Sequence, residues 1–436
     1  MNKIRIKNCH ILTMEEDRKQ IQEGEITIEK DKITYIGNVR DNIDERDYTR
    51  VIDAKGHACL PGFINTHTHA AMALFRGFAD DLPLMTWLEN KIWPLEDNLT
   101  GEDVYWGTLL SILEMIKSGT STFNDMYFFM DDMAEAVRES GIRAVLSRGL
   151  IGLEGKGETG LKETDEFISK WHNSFEGRLK AMLGPHAPYT CSPDFLKEVI
   201  KKVDHYKLPV HIHLAETSFE IEHCREAYNR TPMEIMEDLE FFKHPVIAAH
   251  CVHLSQNDIE IMANRGVKVS HNPGSNLKLA SGIAPVPDLI EAGIEVSLGT
   301  DGAASNNNLD LLEEARLAAL IHKAQKDDPT VIPAYKALEM ATRHGAEGLF
   351  LSGETGVLKE GYKGDVILIN LDKPHFYPQH DLVAHIVYSA QSSDVETVII
   401  NGEIVMENRE VKSLDEEKVM FNAGEKAFDL IKRKEA

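Results

Sequence analysis

Apolar and polar residues alternate at both ends of this chain but not in its middle. Residues 4–14 (IRIKNCHILTM), 25–30 (EITIEK) and 32–38 (KITYIGN) step between apolar and polar positions, with a charged turn at Glu29-Lys30-Asp31-Lys32. Period-two alternation of this kind is the pattern of half-buried strands. The style returns after about Gly361 in GDVILINL and VETVIINGEIVMENREV, where Asn401-Gly402 is a hairpin signal. Two strand-rich ends around a different middle predict one small β domain assembled from both termini. The last stretch, from about Asp415 to Lys434, has helical apolar spacing and should be a closing helix.

The middle alternates short continuous apolar runs with helical stretches, the pattern of parallel βαβ units. Eight candidate strands follow in order: LPGFINTH, TSTFNDM, RAVLSRGL, LKAMLGPH, PVHIHL, PVIAAH, VKVSHN and EVSLGT. Ser192-Pro193 and Thr231-Pro232 each place an N-cap before a proline at the first helical position. Gly119, Gly141 and Gly266 stand where helical patterns stop. Eight such alternations over about 250 residues predict a TIM-like (β/α)8 barrel. The expected division is residues 1–58 as the N-terminal part of a β-sandwich domain, 59–352 as the barrel, and 353–436 as the rest of the sandwich plus the closing helix.

Charge and composition narrow the function. The formal charge of −24 disfavours nucleic acid, since phosphate binding needs a basic face. No stretch approaches the roughly 18 apolar residues of a membrane span, and the charged N-terminal segment lacks a signal-peptide apolar run, so the expected compartment is the cytoplasm. Five scattered cysteines without a CxxC pair read as buried small apolar residues. Patches on so large a protein could support a homo-oligomer.

The candidate chemistry sits where a barrel would put it, at the C-terminal ends of the strands. Strand one ends in His67-Thr-His69, strand three in Arg148, strand four in His186, strand five in His213-Leu-Ala-Glu216. Strands six to eight end in His250, His271-Asn272 and Asp301. His67 and His69, two apart, share one side of a strand. Joined by His213 and Asp301 they make a neutral-imidazole and carboxylate set suited to one divalent ion, zinc first, with iron or manganese as alternatives. His211 shares a face with His213 and could compete as a ligand, but His213 carries Glu216 three residues on. His211 is therefore read as a barrel-interior residue supporting the ligands, and His253, His271 and Cys251 as core.

The segments PGFINTHTHAAM, HLAET, AAHCVHL, SHNPGSNLKLASGIAPV and LGTDGAASNN resemble the amidohydrolase superfamily in its cytosine-deaminase and chlorohydrolase-like branch. Residues 67–97 and 299–321 are most similar to the 5'-methylthioadenosine/S-adenosylhomocysteine deaminase family. The resemblance implies a mononuclear metal site on His67, His69, His213 and Asp301. It also implies catalytic roles for Glu216, His250 and Asp301, and substrate binding by Glu96, Arg148 and His186. Glu216, Ser305 and Trp87 are further substrate-binding candidates, Trp87 as a cover for the ribose or thioether, although a Trp in an amphipathic helix is more often core. The implied partner is a small-molecule nucleoside. His186, in GPHAPY, stands where binuclear members carry a carboxylated lysine, so a second tightly held metal is not expected. Glu96 could accept hydrogen bonds from both ribose hydroxyls, which a free base lacks. The loop GLIGLEGKGETGLK offers only Lys156 and Lys162 where some members carry an arginine for the homocysteine carboxylate.

Overall fold

The computed structural model describes residues 2–435 except 83 and 154. In it the alternating segments at the two chain ends pair with each other. From the N-terminal end come β1 (Lys3–Leu12), β2 (Gln20–Glu29), β3 (Lys32–Asn38), β4 (Arg50–Asp53) and β5 (His57–Pro61). The middle supplies β6 (Phe63–Thr68), β7 (Thr120–Tyr127), β8 (Arg143–Leu150), β9 (Leu179–Ala181), β10 (Gly184–Pro185), β11 (Val210–Leu214), β12 (Val246–His250), β13 (Lys268–His271) and β14 (Val296–Leu298). The C-terminal end adds β15 (Val366–Asn370), β16 (Val395–Ile400), β17 (Glu403–Glu407) and β18 (Glu410–Val411).

The terminal strands make one mixed nine-stranded sheet, ordered β18-β17-β16-β15-β5-β1-β2-β3, with β4 beside β1. Register brings Ile4 opposite Ile28 and Ile6 opposite Ile26. These isoleucines are buried with Val366, Leu368 and Ile399 from the other end of the chain. The β16–β17 connection has left-handed backbone at Asn401 (φ 52°) and Gly402 (φ 78°), as a two-residue hairpin turn requires. A Cβ on Gly402 would overlap the Lys30 carbonyl oxygen.

The central strands are parallel and fall in two sheets, one built on β6, β7, β8, β9 and β10 and the other in the order β11-β12-β13-β14. All eight expected strands are present, the fourth in two pieces. Met182 still donates to Leu146 O, but Leu183 turns its backbone to the next strand, donating to Pro209 O at 3.0 Å and accepting from His211 N at 2.9 Å. The pairing with β8 resumes at Gly184 and Pro185, opposite Gly149 and Leu150, so this strand joins β8 on one side and β11 on the other. At the opposite seam Asp301 N donates to His67 O (2.9 Å) and Thr66 Oγ1 to Leu298 O (2.9 Å).

The helix boundaries follow the caps. Ser192 and Thr231 accept from the backbone three residues on, each followed by proline at the first helical position. Gly141 and Gly266 close their helices in left-handed conformation. The closing helix Glu416–Glu435 packs Val419, Ala423 and Leu430 inward, over the helix Gly101–Lys117. The central parallel strands and the terminal sheet are tied by Arg143 at the start of β8. It makes paired bonds to Asp365 (Nε–Oδ2 3.0 Å, Nη2–Oδ1 3.1 Å), with both side chains buried.

Candidate active site

His67 lies on β6 and His69 just beyond it, His213 on β11, His250 at the last position of β12, and Asp301 three residues past β14. The chain turns sharply off these strands: Ala215 (φ 53°), His250 (72°), Cys251 (50°) and Asp301 (62°) all take left-handed backbone. Strain of this kind is held at sites where a side chain must be aimed.

The imidazoles are oriented from behind. His69 Nδ1 meets Met126 O at 2.7 Å and His213 Nδ1 meets His186 O at 2.8 Å. A carbonyl can only accept, so both rings carry their proton on Nδ1 and present a bare Nε2 to the centre. His67 Nδ1 is held by His211 Nε2 at 2.7 Å, and His250 Nδ1 by Asn276 Oδ1 at 2.8 Å. Burial pushes His67 down to about 4 and His186 to about 3. It also carries His211 and His213 well below the ordinary imidazole range. These are neutral rings, the form that ligates.

The spacing of the inward atoms fits one ion. Two ligands each about 2.1 Å from a tetrahedral cation stand about 3.4 Å apart. Asp301 Oδ1 is 3.3 Å from His67 Nε2 and 3.4 Å from His69 Nε2, and the Nε2 atoms of His69 and His213 are 3.2 Å apart. Two unprotonated nitrogens facing at that distance repel unless a cation lies between them. His67 Nε2 is buried without a hydrogen-bond partner, as expected of a ligand atom. His250 also reaches the centre, grouping with His67 and Asp301 within 4.8 Å. The residues therefore fit a divalent metal. Asp301 Oδ2 accepts from Ser275 Oγ (2.6 Å) and Ser305 Oγ (2.9 Å), and its carboxyl lies well below the ordinary range. Burial alone would raise it, but His67, His250 and His69 outweigh that.

This centre floors a cavity of about 90 Å³ whose lining includes Trp87, Glu96, His186, Glu216, His250 and Ser305. Glu216 is pushed above the ordinary carboxyl range, chiefly by burial, and its Oε2 is 3.9 Å from His250 Nε2. His186 Nδ1 meets Thr190 Oγ1 at 2.8 Å. Glu96 sits at the far wall, accepting from Tyr127 Oη at 2.8 Å. Burial raises its carboxyl to about 7. Glu96 also borders a second cavity of about 870 Å³ that contains Arg148 and Lys156.

Arg148 faces this outer cavity and not the metal centre. Its Nε is 2.6 Å from Glu163 Oε2 and its guanidinium lies 4.7 Å over the Phe128 ring. Lys162 is turned to solvent beside Glu166. His211 takes the supporting position expected of it. His253 binds the Ser281 carbonyl (2.7 Å) and His271 contacts His322 (3.3 Å), both away from the cavity lining. Sequence reasoning missed Ser275, Asn276, Tyr127 and Glu220. The fully buried Glu220 accepts from the backbone N–H of Ala215 (2.9 Å) and Glu216 (3.2 Å), bracing the strained turn that aims Glu216. Its position four residues after Glu216, in a helical first turn, was the only local signal.

Parallel strands carrying a His/His/His/Asp centre at their C-terminal ends, with a carboxyl group and a fourth imidazole beside it, define a metal-dependent hydrolase. The Amidohydrolase family model matches residues 58–405, and the chain belongs to that family. It is 55% identical over 419 residues to a 5-methylthioadenosine/S-adenosylhomocysteine deaminase from Dictyoglomus turgidum, covering 95% of this chain and 97% of the relative. It is 52% identical to a 5'-deoxyadenosine deaminase from Methanosarcina acetivorans, with both chains fully covered. Among solved structures, an adenosine deaminase from Xanthomonas campestris with bound zinc superimposes with a TM-score of 0.93 at 30% identity, covering 99% of each chain.

Proposed function

We propose that this enzyme hydrolyses the adenine amino group of 5'-methylthioadenosine and S-adenosylhomocysteine, and also of adenosine, releasing ammonia and the inosine analogue. The observation that carries this reading is Glu96, a desolvated carboxyl group between the metal-centre cavity and a second, larger one. A base seated over the metal would bring its ribose hydroxyls to Glu96 and its 5' substituent into the outer space. The names of the two relatives point to the same substrates.

His67, His69, His213 and Asp301 would hold one divalent cation, with zinc favoured by the ligand set and by the zinc-bound neighbour. Such an ion supplies the Lewis acidity that makes water a nucleophile near neutral pH. Water adds at C6 of the adenine ring. Glu216, its carboxyl raised above the ordinary range chiefly by burial, is the group that gives a proton to the adjacent ring nitrogen. His250 and Asp301 take one proton from the attacking water and pass it to the departing amine. As the C6–N bond breaks and the C6 carbonyl forms, the remaining hydroxyl proton returns to Glu216. His186 and Ser305 line the base position, and Trp87 packs over the ribose or thioether. Arg148 and Lys156 are the cations available to a homocysteine carboxylate. Lys156 would bind as a point charge, and Arg148 would first have to leave Glu163.

The bonds at both seams support one closed eight-stranded barrel for residues 59–352. Residues 1–58 and 353–436 would then form the β-sandwich domain around its own apolar cluster, with the closing helix. We place the enzyme in the cytoplasm: all five cysteines are buried free thiols, and among the described residues no helix is long and apolar enough to cross a membrane.

The test is direct. Purified, zinc-loaded protein should convert methylthioadenosine with the absorbance change of adenine to hypoxanthine and equimolar ammonia, while adenine and guanine stay inert. Glu216→Gln should lose activity by about 10²–10⁴-fold with its metal content unchanged. Ammonia from guanine alone would overturn the substrate, and full turnover by Glu216→Gln would overturn the proton route.

A further inference from the structure

The closing helix has two apolar faces, and the fold uses only one. Val419, Ala423 and Leu430 are buried against the body. On the opposite side Met420 (52% exposed), Phe421 (68%) and Phe428 (67%) stand in solvent. At 100° per residue, Glu417, Met420, Phe421, Gly424, Phe428 and Lys432 fall along one stripe about 120° wide. A Cβ placed on Gly424 would meet nothing within 4 Å, so the middle of the stripe is open to close approach. Isolated exposed apolar residues are ordinary. Two phenylalanines seven residues apart on one helix face are an association patch.

The charges on this face identify the occupant. Neighbouring cations are already engaged within the chain: Lys418 lies over Trp106, Lys426 binds Glu102, and Arg433 binds Asp103. Glu417 and Lys432 have no ion-pair or hydrogen-bond partner among the described residues, and both are exposed. An antiparallel twofold centred between Gly424 and Glu425 places Phe421 of one copy beside Phe428 of the other. The same centre places Glu417 opposite Lys432. One axis thus satisfies the apolar and the charged pair together, the self-complementarity that an isologous interface requires.

We propose that the outer face of Glu416–Glu435 is a homodimer interface, in which two closing helices pack antiparallel across Gly424. The occupant is a second copy of this chain. Sequence-unrelated apolar partners would have no reason to match the Glu417/Lys432 spacing about that centre.

Light scattering coupled to size exclusion, and sedimentation equilibrium, on the full-length enzyme test this. Wild type should be a dimer or a higher even assembly. Phe428→Glu lies on an exposed surface and should leave deaminase activity and unfolding temperature unchanged while raising the dimer dissociation constant by about 100-fold. Glu417→Lys alone sets like charges together at both symmetric positions and should weaken the dimer. Glu417→Lys with Lys432→Glu should restore it. A monomeric wild type, a dimer indifferent to Phe428→Glu, or no rescue in the double variant would each overturn the proposal.

Discussion

His211 shows how much of this site depends on side chains that touch neither metal nor substrate. Its Nε2 holds His67 Nδ1 through a 2.7 Å contact, fixing the ring angle. His211→Ala should lower metal affinity about 10–100-fold, read by competition with a chromogenic chelator, while the folded protein persists. Glu96 makes a prediction in pH. Its carboxyl is raised by burial from 4.5 to about 7, so the form that accepts from both ribose hydroxyls grows as pH rises through 7. kcat/KM for methylthioadenosine should climb between pH 6 and 8 and lose that limb in Glu96→Gln. The sign for stability is the reverse: the fold favours the neutral acid, so Glu96's contribution is present below 4.5 and is lost as pH rises through about 7. A flat profile in the wild type would remove Glu96 from the binding step.

Single elements join loops that are far apart in sequence. Glu314, in the first turn of the helix Leu311–Lys326, is fully buried. It accepts from Gly274 N (2.9 Å) and Asn306 Nδ2 (2.7 Å). One carboxyl group therefore pins the loop after β13 to the loop after β14, whose Ser275 and Ser305 both bind Asp301. Glu314→Ala removes the acceptor of two half-buried donors, of which Asn306 Nδ2 keeps its bond to Thr300 O, and should cost on the order of 1–2 kcal/mol, measured by thermal unfolding, together with weaker metal retention. Helix starts and stops were legible because their causes are local: Ser192, Thr231, Gly141 and Gly266 act within one turn of their own position. The break in the fourth strand was not. Leu183 bonds the backbone of Pro209 and His211 on one side while Gly184 and Pro185 stay paired with β8 on the other, and no local propensity encodes where the strand is interrupted between them.

At the scale of the whole molecule, a buried ion pair ties the central parallel strands to the terminal sheet. Asp365, beside β15, accepts from Arg143 of β8 and from Asn401 N (2.6 Å) and Thr355 Oγ1 (3.1 Å). Removing it strands a buried guanidinium. Asp365→Ala should lower stability by about 3–5 kcal/mol, seen as an earlier denaturant midpoint, with the metal centre affected only through unfolding. Replacing both Arg143 and Asp365 by apolar residues of similar volume should recover much of that loss.

The eight central strands, several helix ends and the pairing of the termini were set by the sequence alone, and the sequence also nominated the residues that the fold gathers at one centre. Each rests on a residue's own chemistry or on short-range periodicity. The supporting place of His211 was expected because His213, not His211, carries Glu216 three residues on. Tertiary structure decided where the side chains point. It turned Arg148 to Glu163 and the outer cavity, turned Lys162 to solvent, and recruited Ser275, Asn276, Tyr127 and Glu220 around the centre. Those choices depend on contacts between strands and loops tens of residues apart, whose geometry exists only once the chain has closed on itself.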